Sequence, residues 1–115
     1  MEILKKIGLT ENEIKIYLDL LKSGSSTAYE ISKRINIYRV HVYDKLEQLI
    51  NKGLVTYIYK SSKKHFQATN PSKIKDHLEE KKKEIENQEK DVDKILLELN
   101  NMLKIKKEDT YVEIF

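Results

Sequence analysis

From Ser72 to Lys106 the chain runs for roughly 35 residues without a glycine or a proline. An unbroken run of that length predicts one helix of ~50 Å, far longer than a small core needs. Leu78, Ile85, Val92 and Leu99 recur at intervals of seven within it. Ile74, Ile95 and Met102 fall on the partner positions of the same heptads, and Leu96 and Leu103 widen the apolar face near the end. Lys81 and Gln88 occupy two of the partner positions, so the middle of the seam is polar. Sustained heptads with flanking charge predict a coiled coil. The competing reading is a helix packed back on its own domain. A narrow seam on so charged a rod favours self-association, so these nine apolar residues are the candidate dimerisation surface of a homodimer.

The composition suits that picture. Of 115 residues, 39% are apolar and 36% charged, which fits a small core joined to a long solvated element. The absence of cysteine excludes a disulfide framework and a thiolate metal site. No apolar run approaches the ~20 residues of a membrane span, and "MEILKKIGLT" lacks a signal peptide's long apolar region. The expected location is the cytoplasm, with no membrane partner.

Ahead of the long helix the elements are short. "MEILKKIG" predicts a helix with Ile3, Leu4 and Ile7 inward, stopped by Gly8. Thr10 and Glu13 form a capping box that opens a second helix, with Ile14, Tyr17, Leu18 and Leu21 on one stripe. Thr27 and Glu30 repeat the box for a third helix, with Ala28, Ile31 and Ile35 inward and Asn36 at the turn. A fourth helix carries Val42, Leu46, Leu49 and Ile50 on one face and ends before Gly53. "LVTYIYK" and "HFQAT" read as two strands around a polar "SSKK" turn, a hairpin with a basic tip at Lys60, Lys63 and Lys64. Asn70-Pro71 marks a boundary, with Asn70 as cap of the long helix. "DTYVEIF" then breaks the heptads, and Tyr111, Val112, Ile114 and Phe115 suggest a strand. The expected organisation is a folded domain over 1–70, a dimerisation helix over 71–107 and a terminal strand over 108–115.

Four helices, a hairpin and a long helix, in that order, are a winged helix-turn-helix: mainly α with a small β-hairpin wing, followed by a long C-terminal coiled-coil helix. Charge points to its partner. Residues 31–65 hold 8 basic and 2 acidic side chains, whereas 71–115 hold 10 and 12. A localised basic patch suits a polyanion. With Val42, Leu46 and Leu49 inward, Val40, His41, Asp44, Glu47 and Gln48 point away from the core. Arg39 and Tyr43 flank the start of that helix. Arg39 is the candidate for bidentate contact with a guanine edge, Val40 for a thymine methyl, and His41 for a base or phosphate. Tyr43 offers a hydroxyl to phosphate and Tyr38 stands beside it as a further candidate contact, although either tyrosine could equally be a core aromatic. Lys33, Arg34, Lys45, Lys63 and Lys64 are backbone candidates, with Thr27 and Tyr29 at the start of the third helix. Double-stranded DNA is the expected partner.

The segments "IGLTENEIKIYLDLLKSG", "TAYEISKRINI", "YRVHVYDKLEQLINKGLV" and "FQATNPSKI" resemble the TrmB-like family of transcriptional regulators. The likeness covers roughly residues 3–75, and related MarR-like winged helices share its general pattern. The resemblance implies dimeric, sequence-specific DNA binding, a dimerising coiled coil after the wing, and a separate effector domain, often sugar-binding. That family often has proline, serine and arginine at the start of its recognition helix. Tyr38, Val40 and His41 stand there in this chain, with Arg39 kept, so the operator does not carry over. "YVEIF" resembles the first strand of an effector domain. The chain is then either a fragment of a longer regulator, the favoured expectation, or a minimal DNA-binding version, with any small-molecule effector bound only by a domain absent here.

Two other function classes compete. A winged helix can serve as a protein–protein module in a transcription or replication assembly, but such a module does not need a positive stripe. An enzyme is disfavoured: His41, His65 and His77 lie on three different elements, and no glycine-rich phosphate loop is present. No catalytic residue, metal ligand or cofactor is assigned.

Overall fold

The computed structural model describes residues 1–110, with side chains through Lys106. Its elements are α1 (Glu2–Lys6), α2 (Glu11–Ser23), α3 (Ala28–Ile35), α4 (Arg39–Asn51), β1 (Val55–Lys60), β2 (Lys63–Ala68) and α5 (Lys73–Thr110). The chain divides into two units, Met1–Leu78 and Glu79–Phe115. The first is a winged helix-turn-helix.

Both capping boxes form. Thr10 Oγ1 accepts from the Glu13 backbone N–H at 3.3 Å, and Glu13 Oε1 accepts from the Thr10 N–H at 3.1 Å. Thr27 and Glu30 repeat the exchange at 3.2 and 2.9 Å. Each box satisfies two backbone donors that the first turn of a helix leaves open. Asn36 ends α3 in the left-handed conformation, φ 55° and ψ 49°, and so turns the chain into α4.

The core gathers Leu4, Leu9, Ile14, Ile16, Tyr17, Leu20, Ala28, Ile31, Val42, Leu46, Leu49, Leu54, Val55 and Phe66. Two expected stripes are corrected. In α1 only Leu4 is fully buried, Ile7 is partly buried, and Ile3 faces out. In α2, Ile16 and Leu20 are buried while Leu21 is exposed. This helix packs against α3, α4 and β2 together. Contact on several sides widens and rotates the buried arc beyond a single stripe.

β1 and β2 pair antiparallel from Val55↔Ala68 to Lys60↔Lys63. The turn is only Ser61-Ser62, both with positive φ (52° and 64°). That backbone matches the twist of a two-residue hairpin turn. Lys63 and Lys64 therefore belong to β2 and not to the turn. Ser26 adds a bridge to the sheet by exchanging backbone hydrogen bonds with Phe66 at 2.9 and 2.7 Å.

α5 begins two residues later than Pro71. Asn70 Oδ1 accepts from the Ser72 N–H at 2.9 Å and so caps the turn that leads into it. Ile74 packs against the core of the first unit. In the second unit, residues 79–110 are helical and the side chains from Lys82 to Lys106 are exposed. The helix runs through Thr110, so 108–110 are helix and not strand. The remainder of the expected terminal strand, 111–115, lies outside the described residues.

Candidate nucleic-acid interface

α4 presents two faces, as its pattern requires. Val42, Leu46 and Leu49 are buried. Arg39, Val40, His41, Tyr43, Asp44 and Glu47 are exposed. Tyr38 occupies the N-cap position and is 81% exposed, and Val40 is 69% exposed. The Tyr38 and His41 rings lie 6.4 Å apart. Tyr43 is half-exposed, its ring edge-on to Phe66. Both tyrosines are thus surface residues.

The start of α3, the start of α4 and the tip of the wing enclose a cleft of about 510 Å³. Its lining is Thr27, Tyr29, Arg39, Tyr43, Tyr59, Ser62, Lys63 and Lys64. Three cations and three tyrosines meet there without a carboxylate. Tyr59 and Ser62 join the cleft although charge and helical pattern do not single them out. The signal for Tyr59 was available in the alternation of the strand: it faces Lys64 across the ladder, and Tyr57 faces Phe66.

Two of the three cleft cations, Arg39 and Lys64, sit over aromatic rings, as does the neighbouring Lys33. The Arg39 guanidinium carbon is 4.9 Å from the Tyr29 ring centre, and Lys33 Nζ is 5.2 Å from the same centre. Lys64 Nζ is 4.4 Å from the Tyr57 ring centre and 6.0 Å from that of Tyr59. Exposed contacts of this kind are individually weak. Their larger effect is to restrict side chains that would otherwise sample many rotamers. The hydrogen bond with Lys33, aided by its charge, lowers the Tyr29 phenol and raises the lysine, so Lys33 stays cationic.

Not every predicted residue joins this surface. Lys33 and Tyr38 instead line a second hollow with Ser32, Asn36 and Ile37, which Arg39 borders as well. Lys45 lies further along α4, 3.8 Å from Asp44. Arg34 is partly exposed but already engaged within the domain. Its Nε and Nη2 donate to the Asp19 carboxylate at 3.0 and 2.8 Å, and Nη2 also reaches the buried Ser26 hydroxyl at 2.6 Å. That hydrogen bond to Asp19 raises the guanidinium further. Lys52, counted in the basic stretch, is likewise internal, donating to Glu13 at 2.6 Å and to the Gly8 carbonyl at 3.3 Å.

On α5 the seam residues Leu78, Ile85, Val92, Ile95, Leu96, Leu99, Met102 and Leu103 are all exposed. A hollow beside Ile85 and Val92 is lined also by Gln88, Glu89 and Asp93. Among the described residues no helix is long and apolar enough to cross a membrane, and no acidic or histidine cluster could hold a metal.

Fold and surface together define a winged helix-turn-helix domain with a basic cleft. The family model described as "Sugar-specific transcriptional regulator TrmB" matches residues 4–72. The chain belongs to this TrmB family. It is 39% identical over 59 residues to the HTH-type sugar sensing transcriptional regulator TrmBL1 of Pyrococcus furiosus, covering 51% of this chain and 17% of that protein. It is 45% identical over 49 residues to an uncharacterised protein of Methanocaldococcus jannaschii, covering 43% and 41%. Each match spans less than half of the relative's length. The fold matches the structure of TrmBL2, described as an archaeal chromatin protein, with a TM-score of 0.71 at 23% identity, over 97% of this chain and 44% of that one. A MarR family protein from Bacillus stearothermophilus gives a TM-score of 0.56 at 18% identity, over 95% and 81%. The family model and the TrmBL1 relative are both described as transcriptional regulators.

Proposed function

We propose that the chain binds double-stranded DNA sequence-specifically as a homodimer and regulates transcription by doing so. The observation that carries this reading is the convergence of Arg39, Lys63 and Lys64 on one carboxylate-free cleft between α4 and the wing. α4 enters the major groove, and the wing rests on the backbone or the adjacent minor groove. Arg39, Val40 and His41 face base edges. Thr27, Tyr29, Lys33, Tyr38, Tyr43, Lys45, Lys63 and Lys64 hold phosphates or frame the approach. Arg34 is left out, because Asp19 and Ser26 occupy it. The exposed seam of α5 supports dimerisation: Leu78, Ile85, Val92 and Leu99 lie on one stripe with no covering element among the described residues. Ile74, buried partly within the first unit, contributes to its core instead. Duplex selection and salt titration test the reading, because each phosphate contact adds about −0.9 to the slope of log affinity against log salt.

A further inference from the structure

Arg39 opens α4, whereas Tyr29 and Lys33 lie one turn apart on α3. The Arg39–Tyr29 contact therefore crosses the helix-turn-helix, at 4.9 Å from cation to ring centre. A guanidinium is planar. Held over a ring it loses its swing, and its N–H groups can still meet a bidentate acceptor. An unsupported arginine would have to be ordered when it binds, which weakens affinity and blurs its preference between bases. Tyr29 is half-exposed and absent from the core cluster, so packing does not explain its ring.

We infer that Tyr29 is a positioning residue for base recognition, its ring holding the Arg39 guanidinium so that the N–H edge faces the groove. This rests on the role given to Arg39 above. It also gives Tyr29 a different task from a phosphate contact: the ring acts, through Arg39, on which base is preferred.

The test uses the full chain, with duplexes enriched by it from a random pool and their single-base-pair variants as probes. The readout is the affinity ratio between the enriched duplex and each variant, position by position. Arg39→Ala should flatten one position by ~10-fold. Tyr29→Leu should flatten the same position and spare the others, Tyr29→Phe should keep wild-type preference within about twofold, and the Leu–Ala double variant should lose no more than Arg39→Ala alone. A merely structural role would lower affinity for all duplexes alike. Should the Leu variant fail to fold, Tyr29→Gln removes the ring at the same exposed site. Preference retained without the ring, or lost equally in Tyr29→Phe, overturns the inference while Arg39 keeps its role. Preference unchanged in Arg39→Ala overturns both.

Discussion

Arg34 of α3 grips Asp19 of α2 through two nitrogens, at 3.0 and 2.8 Å, and reaches Ser26 at 2.6 Å with one of them. Ser26 is itself paired with Phe66 of β2, so one guanidinium ties two helices to the base of the wing. A residue read as a DNA contact is thus part of the scaffold. Arg34→Ala should destabilise the fold by about 1–2 kcal/mol, a modest figure because the side chain is partly exposed. The salt slope of DNA binding should stay at its wild-type value. Denaturant unfolding and salt titration of the same variant check the two halves.

Lys63 and Lys64 behave differently. Lys63 faces Lys60 across the last rung of the ladder, a like-charge pair that a phosphate would relieve. Lys64 is held by Tyr57. Alanine at either position should weaken binding to all duplexes alike and reduce the salt slope by about 1 per contact removed. Affinity measured over a range of salt on specific and unrelated duplexes separates this from a loss of base preference.

The buried Glu13 carboxylate holds the Lys52 ammonium at 2.6 Å and so joins the start of α2 to the residue that ends α4. Burial would raise Glu13, but hydrogen bonds from Lys52 and from Thr10 outweigh it and keep the group below its ordinary 4.5. A lowered carboxyl stabilises the fold above its unfolded value and loses that contribution as pH falls through its folded value. Stability should therefore decline below about pH 4.5, and Glu13→Gln should flatten that part of the profile. Lys52→Met leaves the carboxylate unpaired and should destabilise by about 2–3 kcal/mol at neutral pH, less than for a fully buried pair because Lys52 reaches solvent. Unfolding monitored from pH 3 to 7 gives both results.

These pairs mark what the sequence could and could not disclose. The capping boxes at Thr10 and Thr27 span three residues, and the buried face of α4 repeats at helical spacing, so both are local and legible. Arg34 and Asp19 are 15 residues apart, and Lys52 and Glu13 are 39 apart. Nothing in either local pattern distinguishes an internal cation from one offered to a ligand. Leu21 and Ile16 exchanged roles for a similar reason: a helix covered from several sides does not follow one stripe. The cleft was half-legible. Arg39, Lys63 and Lys64 stand out by charge, but Tyr59 and the contact of Arg39 with the Tyr29 ring depend on hairpin register and on the α3–α4 turn.

The α5 seam makes its own prediction. Ile85→Asp with Val92→Asp places charge at two exposed apolar positions of the heptad. Sedimentation should then show monomers that keep the thermal stability of the winged helix, because neither side chain belongs to its core. Dimers that survive both substitutions would place the interface elsewhere.

The central claim, that α4 and the wing read duplex DNA as a symmetric pair, is met most directly by selecting bound duplexes from a random pool at moderate salt. The selected duplexes should carry an inverted repeat with half-sites one helical turn or a multiple apart. Affinity for that repeat should fall steeply as salt rises. A pool that returns no motif, or binding that ignores salt, would contradict it.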